Sequence, residues 1–112
     1  MKNDRFLSMM GLAARAGKVA SGEFSTEKAV KEGKAYLVII SEDASDNTKK
    51  RFVNMCTYYE VPYVIAYDKD TLGFAIGRQM RSTAAITDSN FANGLFGIKP
   101  EIIRDTKDTE KD

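Results

Sequence analysis

Near the start of the chain, apolar positions return at helical spacing: Phe6, Met9, Met10, Ala13 and Ala14. Asn3 is placed to cap the start and Gly17 to close the end, which predicts an amphipathic helix over about 4–16. Lys18-Val19-Ala20 suffices for a brief strand. Ser21-Gly22 then opens a second helix, with Phe24, Ala29 and Val30 inward and Lys28, Lys31 and Lys34 outward, ended by Gly33.

The pattern changes at Ala35-Tyr36-Leu37-Val38-Ile39-Ile40. A continuous run rich in β-branched residues predicts a strand buried on both faces, inside a sheet covered by helices. Ser41-Glu42-Asp43-Ala44-Ser45-Asp46 is a polar loop at that strand's carboxyl end. A third helix follows, with Phe52, Met55, Cys56 and Tyr59 on its inner stripe and Lys49, Lys50 and Arg51 in its first turns. Val61-Pro62-Tyr63-Val64-Ile65-Ala66 predicts another buried strand, with the proline at its beginning, where a missing N–H is tolerated. Asp68 or Asp70 caps a short helix through Leu72, Ala75 and Ile76, closed by Gly77. Arg78, Gln79, Met80, Arg81 and Ser82 form an exposed connection to the strand Thr83-Ala84-Ala85-Ile86-Thr87. Asp88 or Ser89 caps a last helix through Phe91 and Leu95. Beyond it the composition turns charged, so a domain over 1–98 and a flexible tail over 99–112 are expected. Strands alternating with helices require crossovers. The expected architecture is a single-domain three-layer α/β/α sandwich around a small mixed sheet.

Composition narrows the chemistry. The 112 residues contain no histidine and one cysteine. Without histidine, the commonest general base and the commonest metal ligand are both missing. A lone Cys56 on an apolar stripe reads as core, and it fits a reducing, cytoplasmic setting without disulfides. No apolar stretch approaches a membrane span, and the charged first residues do not resemble a secretory leader. No Walker motif, dinucleotide fingerprint or nucleophile elbow is present, so neither an enzyme nor a cofactor or metal site is expected. Net charge is +1, but unevenly spread. Residues 1–81 carry 13 basic and 10 acidic side chains, and residues 82–112 carry 4 and 6. Contact with a polyanion must therefore be focused on one edge.

Four constellations are candidates for function. The helix opened by Ser21-Gly22-Glu23 exposes N–H groups that suit a phosphate, with Lys28 further along, although an ordinary capped helix has the same look. Glu42-Asp43 sits where open α/β sheets bind ligands and could hold Mg²⁺, but no third carboxylate or glycine-rich phosphate loop supports that reading. Lys49-Lys50-Arg51, beside Ser45 and Asn47, places cations against the helix dipole, or forms a solvated face. Gly77-Arg78-Gln79-Met80-Arg81 combines phosphate pairing with a flat surface for an unstacked base, or simply connects two elements.

Taken together, these residues resemble the kink-turn-binding ribosomal protein superfamily. The resemblance rests on Gly22, on Lys28-Ala29 and on Gly33-Lys34-Ala35-x-Leu37-Val38-Ile39-Ile40-Ser41-Glu42-Asp43-Ala44. It continues through Val61-Pro62-Tyr63-Val64, Leu72-Gly73-x-Ala75-x-Gly77 and Ala84-Ala85-Ile86-x-Asp88. Leu12-Ala13-x-Arg15-Ala16-Gly17-Lys18 and Asp43-Ala44-Ser45-x-Asn47-Thr48-Lys49-Lys50 point to its bacterial ribosomal-protein-like branch. The resemblance implies an α/β/α fold and a non-enzymatic protein that binds structured, kink-turn-like RNA, such as ribosomal RNA, with ribosome or ribonucleoprotein components as partners, no DNA specificity and no membrane. It implies that the second helix enters the RNA groove at Gly22, with Lys28 facing the RNA. The loop of Arg78, Gln79, Met80 and Arg81 covers a flipped-out nucleotide, with Ser45 and Lys49 near the same edge. The family's Asn-Glu pair, which reads the sheared G·A pairs, is replaced here by Phe24-Ser25. Recognition then rests on shape and backbone, or on Glu23 and Ser25 reading differently. A protein-interaction module with RNA binding lost is the alternative.

Overall fold

The computed structural model describes residues 4–99 and 101–104. Five helices and four strands alternate: α1 Arg5–Arg15, β1 Val19–Ser21, α2 Glu23–Lys31, β2 Leu37–Ile40, α3 Asp46–Tyr59, β3 Tyr63–Ile65, α4 Lys69–Ala75, β4 Thr83–Ile86 and α5 Ser89–Ile98. The strands form one mixed sheet in the order β1-β4-β2-β3. β2 and β3 are parallel, so α3 is the crossover between them, while β4 is antiparallel to both β1 and β2.

Alternation along the buried strands divides the core into two layers. Leu37 and Ile39 of β2 and Ala84 and Ile86 of β4 pack with Phe6 and Met10 of α1, Leu72 of α4 and Leu95 of α5. Val38, Ile40 and Ala85 point the other way, onto Ala29 and Val30 of α2 and Phe52 and Cys56 of α3. Side chains of a strand face opposite sides in turn, so a run apolar at every position needs helices on both faces. This is the expected three-layer sandwich.

The strands are shorter than the apolar runs: β2 starts at Leu37, β3 at Tyr63, and β4 ends at Ile86. Burial pushes the Cys56 thiol up to about 12, in keeping with a core side chain rather than a nucleophile. Three inward assignments need correction. Phe24 is 80% exposed, and Thr26 takes its place, bonding Thr83 through paired hydroxyls at 3.1 Å. Tyr59 is exposed, and Thr57 is buried instead. Met9, on the apolar stripe of α1, is half-buried and packs against the core rather than lying within it.

The cap of α1 is Asp4, whose carboxylate accepts the Leu7 N–H at 3.0 Å; Asn3 lies outside the described residues. Asp68 and Asp88 cap α4 and α5. The stretch expected to begin the tail is partly docked. Ile102 is buried, and Ile103 pairs antiparallel with Tyr63 through two backbone hydrogen bonds, of 2.8 and 3.0 Å. Residues 105–112 of the expected tail lie outside the described residues.

Asp4 also ties the two ends of the domain together. Tyr67 donates its hydroxyl to both carboxylate oxygens, at 2.9 and 3.0 Å, and the Lys99 ammonium lies 4.8 Å from the centre of the Tyr67 ring. Burial by itself would raise the Asp4 carboxyl. The Leu7 N–H, the Tyr67 hydroxyl and the Lys99 charge together outweigh it and hold the group below the usual carboxylate range. Asp68 is lowered by the N–H and hydroxyl of Thr71. Carboxylates lowered in the folded state stabilise it above their unfolded pKa, and that contribution fades as pH falls through the folded value. The thermal midpoint should therefore drop between about pH 5 and pH 3. Asp4→Asn should make that drop shallower in a melting series, and an unchanged slope would show that this carboxylate does not carry it.

Candidate nucleic-acid interface

The sheet brings three chain segments to one of its ends. β1 leaves at Ser21, opposite Ala84, and β2 leaves at Ile40, opposite Thr83. Gly22 donates its N–H to Thr83 at 2.9 Å, and Ser41 donates to Ser82 at 2.8 Å. The mouth of α2, the turn into α3 and the loop before β4 thus share an edge, as the sequence leads one to expect.

Gly22 sits at the mouth of α2 with φ 89° and ψ 160°, and no side chain caps that helix. The first-turn N–H groups keep their partial positive charge toward the edge. Glu23 is not free to read a base. Its carboxylate accepts from Thr48 at 3.3 Å and pairs with Arg51 at 3.2 Å. Thr48 in turn accepts from the Ser45 hydroxyl at 3.0 Å and donates its N–H back to Ser45, the cap of α3. Arg51 also holds Glu27 at 2.9 Å. The Lys31 hydrogen bond, then the charges of Lys31 and Arg51, lower the Glu27 carboxyl. One flank of α2 is in this way locked against α3. Such exposed pairs fix geometry more than they add stability.

The other flank is open. Phe24, Ser25 and Lys28 line a shallow groove of about 300 Å³ with Ala20 and Thr87. Phe24 stands there with its ring in solvent, beside the cation.

The loop before β4 is hydrogen-bonded to α4, although the side chains of Arg78, Gln79 and Met80 are exposed. Gly73 accepts the Arg78 N–H at 2.8 Å, and the Arg81 N–H reaches the Lys69 carbonyl at 3.0 Å. Arg81 donates Nε to the Ser21 hydroxyl at 3.2 Å and its guanidinium to the Met80 carbonyl at 2.9 Å, which joins the loop to β1 one residue before Gly22. Arg78, Gln79 and Met80 project outward. Among the described residues, Lys28, Lys49, Arg78 and Arg81 have no ion-pair partner. Cations free to neutralise phosphates, unfilled helix N–H groups, and exposed Phe24 and Met80 give the edge the means to hold a folded polyanion and an unstacked base.

Glu42-Asp43 serves a different purpose. Asp43 accepts the Lys69 N–H at 3.0 Å and braces the start of α4. Among the described residues, no group of three or more metal-ligating side chains is gathered anywhere.

Sequence reasoning named the rim residues but missed those that position them. Ser21 as the anchor of Arg81, Thr48 as the link between two helices, and Gly73 as the seat of the loop emerge only in three dimensions. A glycine inside α4 was a signal for the last, since it costs helix stability unless something approaches closely.

Two helical layers closing a mixed sheet, with an open, glycine-led and cation-rimmed end, define a small α/β/α domain with one edge suited to a polyanion. Over residues 4–96 the chain matches the ribosomal protein L7Ae/L30e/S12e/Gadd45 family, and it belongs to that family. It is 41% identical over 98 residues to the RNA-binding protein YlxQ of Bacillus subtilis (strain 168), spanning 88% of this chain and 98% of the relative. The RNA-binding protein YlxQ of Enterococcus faecium is 37% identical over 86 residues, 77% of this chain and 82% of the relative. A solved protein of unknown function from Bacillus halodurans C superposes with TM-score 0.82 at 36% identity, over 86% of this chain and 97% of its own. The Giardia lamblia 15.5kD RNA binding protein superposes with TM-score 0.72 at 27% identity, over 87% and 89%. The family and its bacterial branch are those that the motifs imply, and its members are not enzymes.

Proposed function

We propose that this chain binds a sharply bent, kink-turn-like structured RNA of ribosomal or ribosome-associated origin, in the cytoplasm, through the edge formed by Gly22, Glu23, Phe24, Ser25, Lys28, Ser45, Lys49, Arg78, Gln79, Met80 and Arg81. The observation that carries this reading is the convergence of the α2 mouth, the α3 start and the Arg78 loop on one end of the sheet, where Lys49, Arg78 and Arg81 have no ion-pair partner among the described residues and Lys28 follows in the last turn of α2. The names of the relatives support RNA as the ligand. Within the edge the roles differ. Gly22 admits the RNA backbone, Lys28 and Lys49 meet phosphates, and Arg78, Gln79, Met80 and Arg81 cover an extruded base. Ser45 and Glu23 are positioning residues. The substitution of Phe24-Ser25 at the reading pair favours recognition of shape and backbone over base edges.

Calorimetric titration against a kink-turn RNA and an unbent duplex of equal length tests this. Tighter binding to the bent RNA is expected, and equal affinities would remove the shape specificity. Lys28→Ala should weaken binding severalfold and reduce the salt slope by about one phosphate contact. An unchanged slope would take Lys28 off the backbone.

A second reading rests on one observation: Phe24 exposes a large apolar ring beside the helix mouth. As a protein-interaction module, the chain would retain a partner after nuclease treatment and bind neither RNA.

A further inference from the structure

Beside the Arg78 loop, on the α1 side of the sheet, lies a cleft that the proposed RNA edge does not use. It has a volume of about 300 Å³ and runs between the carboxyl-terminal half of α1 and the end of α4. Gly11 lets the two helices approach closely at one end of it. A Cβ on Gly11 would come within 3.0 Å of the Ala75 carbonyl, so α1 and α4 cross in near-contact there, and Gly77 turns the chain away with φ +73°. Ala14 and Ile76 form the wall. Phe74 stands at the lip, 77% exposed, and Arg15 stands opposite.

The cleft is continuous with the edge. A smaller polar hollow of about 40 Å³ shares its Ala14 and Ile76 walls and leads to Ser21 and Arg78. Ser21 is the residue that holds Arg81. A path therefore runs from the mouth of α2, past Arg81 and Arg78, to Arg15 and Phe74. None of the three arginines has an ion-pair partner among the described residues. No carboxylate lines either hollow.

We propose that this cleft takes an unpaired nucleotide flanking the bent RNA, its base on Phe74 and its phosphate between Arg15 and Arg78. The proposal rests on the RNA reading above and extends it to single-stranded RNA. An exposed aromatic ring across a cleft from a guanidinium suits any base, because every base presents a π-face, while the phosphate answers the charge. Positive charge without a matching carboxylate selects a polyanion over an apolar peptide.

The test compares the kink-turn RNA with the same RNA carrying a five-nucleotide unpaired extension. The wild type should bind the extended RNA roughly tenfold more tightly, the scale of one base stacked on an aromatic ring. Phe74→Ala should abolish that difference and leave affinity for the unextended RNA intact, Phe74→Tyr should preserve it, and Arg15→Ala should reduce it. Phe74 is exposed, so its melting temperature serves as a check that the fold is retained. Equal wild-type affinities for both RNAs would overturn the cleft reading and leave the edge reading standing. If neither RNA binds, the edge reading falls. The cleft is then judged with the unstructured pentaribonucleotide alone: shifts of the Arg15, Phe74 and Gly77 amide resonances support it, and unmoved resonances overturn it.

Discussion

Gly73→Ala is expected to lower the unfolding midpoint by about 15 °C and to weaken RNA binding by at least tenfold. A Cβ at this position would lie 1.7 Å from the Gln79 carbonyl oxygen, 2.5 Å from its carbon and 3.2 Å from the Arg78 carbonyl. All three are backbone atoms, so no side chain can rotate away. Either α4 or the loop must move, and the Arg78 hydrogen bond to Gly73 and the Arg81 bond to Lys69 go with it. Overpacking of this kind costs about 3 kcal/mol, a large share of a small domain's stability. The same displacement carries Arg78, Met80 and Arg81 away from the edge. Gln79→Ala is the control. It keeps the backbone carbonyl and leaves an exposed position smaller, so its midpoint should match the wild type. Calorimetry on both variants decides the matter: equal midpoints for Gly73→Ala and the wild type would mean that the loop is not seated on Gly73.

The second large effect belongs to Gly22. Its φ of 89° with ψ of 160° lies in a region that is essentially glycine's alone, and an alanine there costs about 1–3 kcal/mol. Relaxation is blocked because the Gly22 N–H is bound to Thr83 and its carbonyl to Thr26, both at 2.9 Å. The protein itself leaves room for a methyl, since nothing lies within 4 Å of where it would stand. That space is where the RNA backbone is proposed to enter. Gly22→Ala should therefore lose affinity by more than tenfold, well beyond what its stability loss explains. Gly33→Ala separates the two effects. It carries a comparable positive φ of 74° at the other end of α2, so its midpoint should fall while its affinity holds. Parallel losses of affinity in both variants would deny the α2 mouth a direct role.

Much of this architecture was legible from residue order. The unbroken apolar run through β2 required helices on both faces, and of the paired cap candidates, Asp68 or Asp70 and Asp88 or Ser89, the first of each pair caps its helix. What escaped were features decided by contacts distant in sequence. Periodicity turned Phe24 inward because α2 has nine residues, too few for a stripe to be unambiguous. Thr26 wins the inner position because a hydroxyl on β4, 57 residues away, satisfies it. Ile102 and Ile103 were hidden in a charged segment whose average composition suggested a tail, although two adjacent isoleucines are costly to leave in water. The rim of the candidate site was named almost entirely from motifs, while the network from Ser45 through Thr48 to Glu23 was not. Residues that face solvent leave a chemical signature in sequence, and residues that hold them in place are recognised by their partners.

The most direct test of the edge is an amide chemical-shift titration with a kink-turn RNA. Gly22, Ser25, Ser45, Lys49, Arg78 and Arg81 should move together and saturate at one stoichiometry. Shifts confined to α5 or to the outer face of α3, with those six unmoved, would contradict the account.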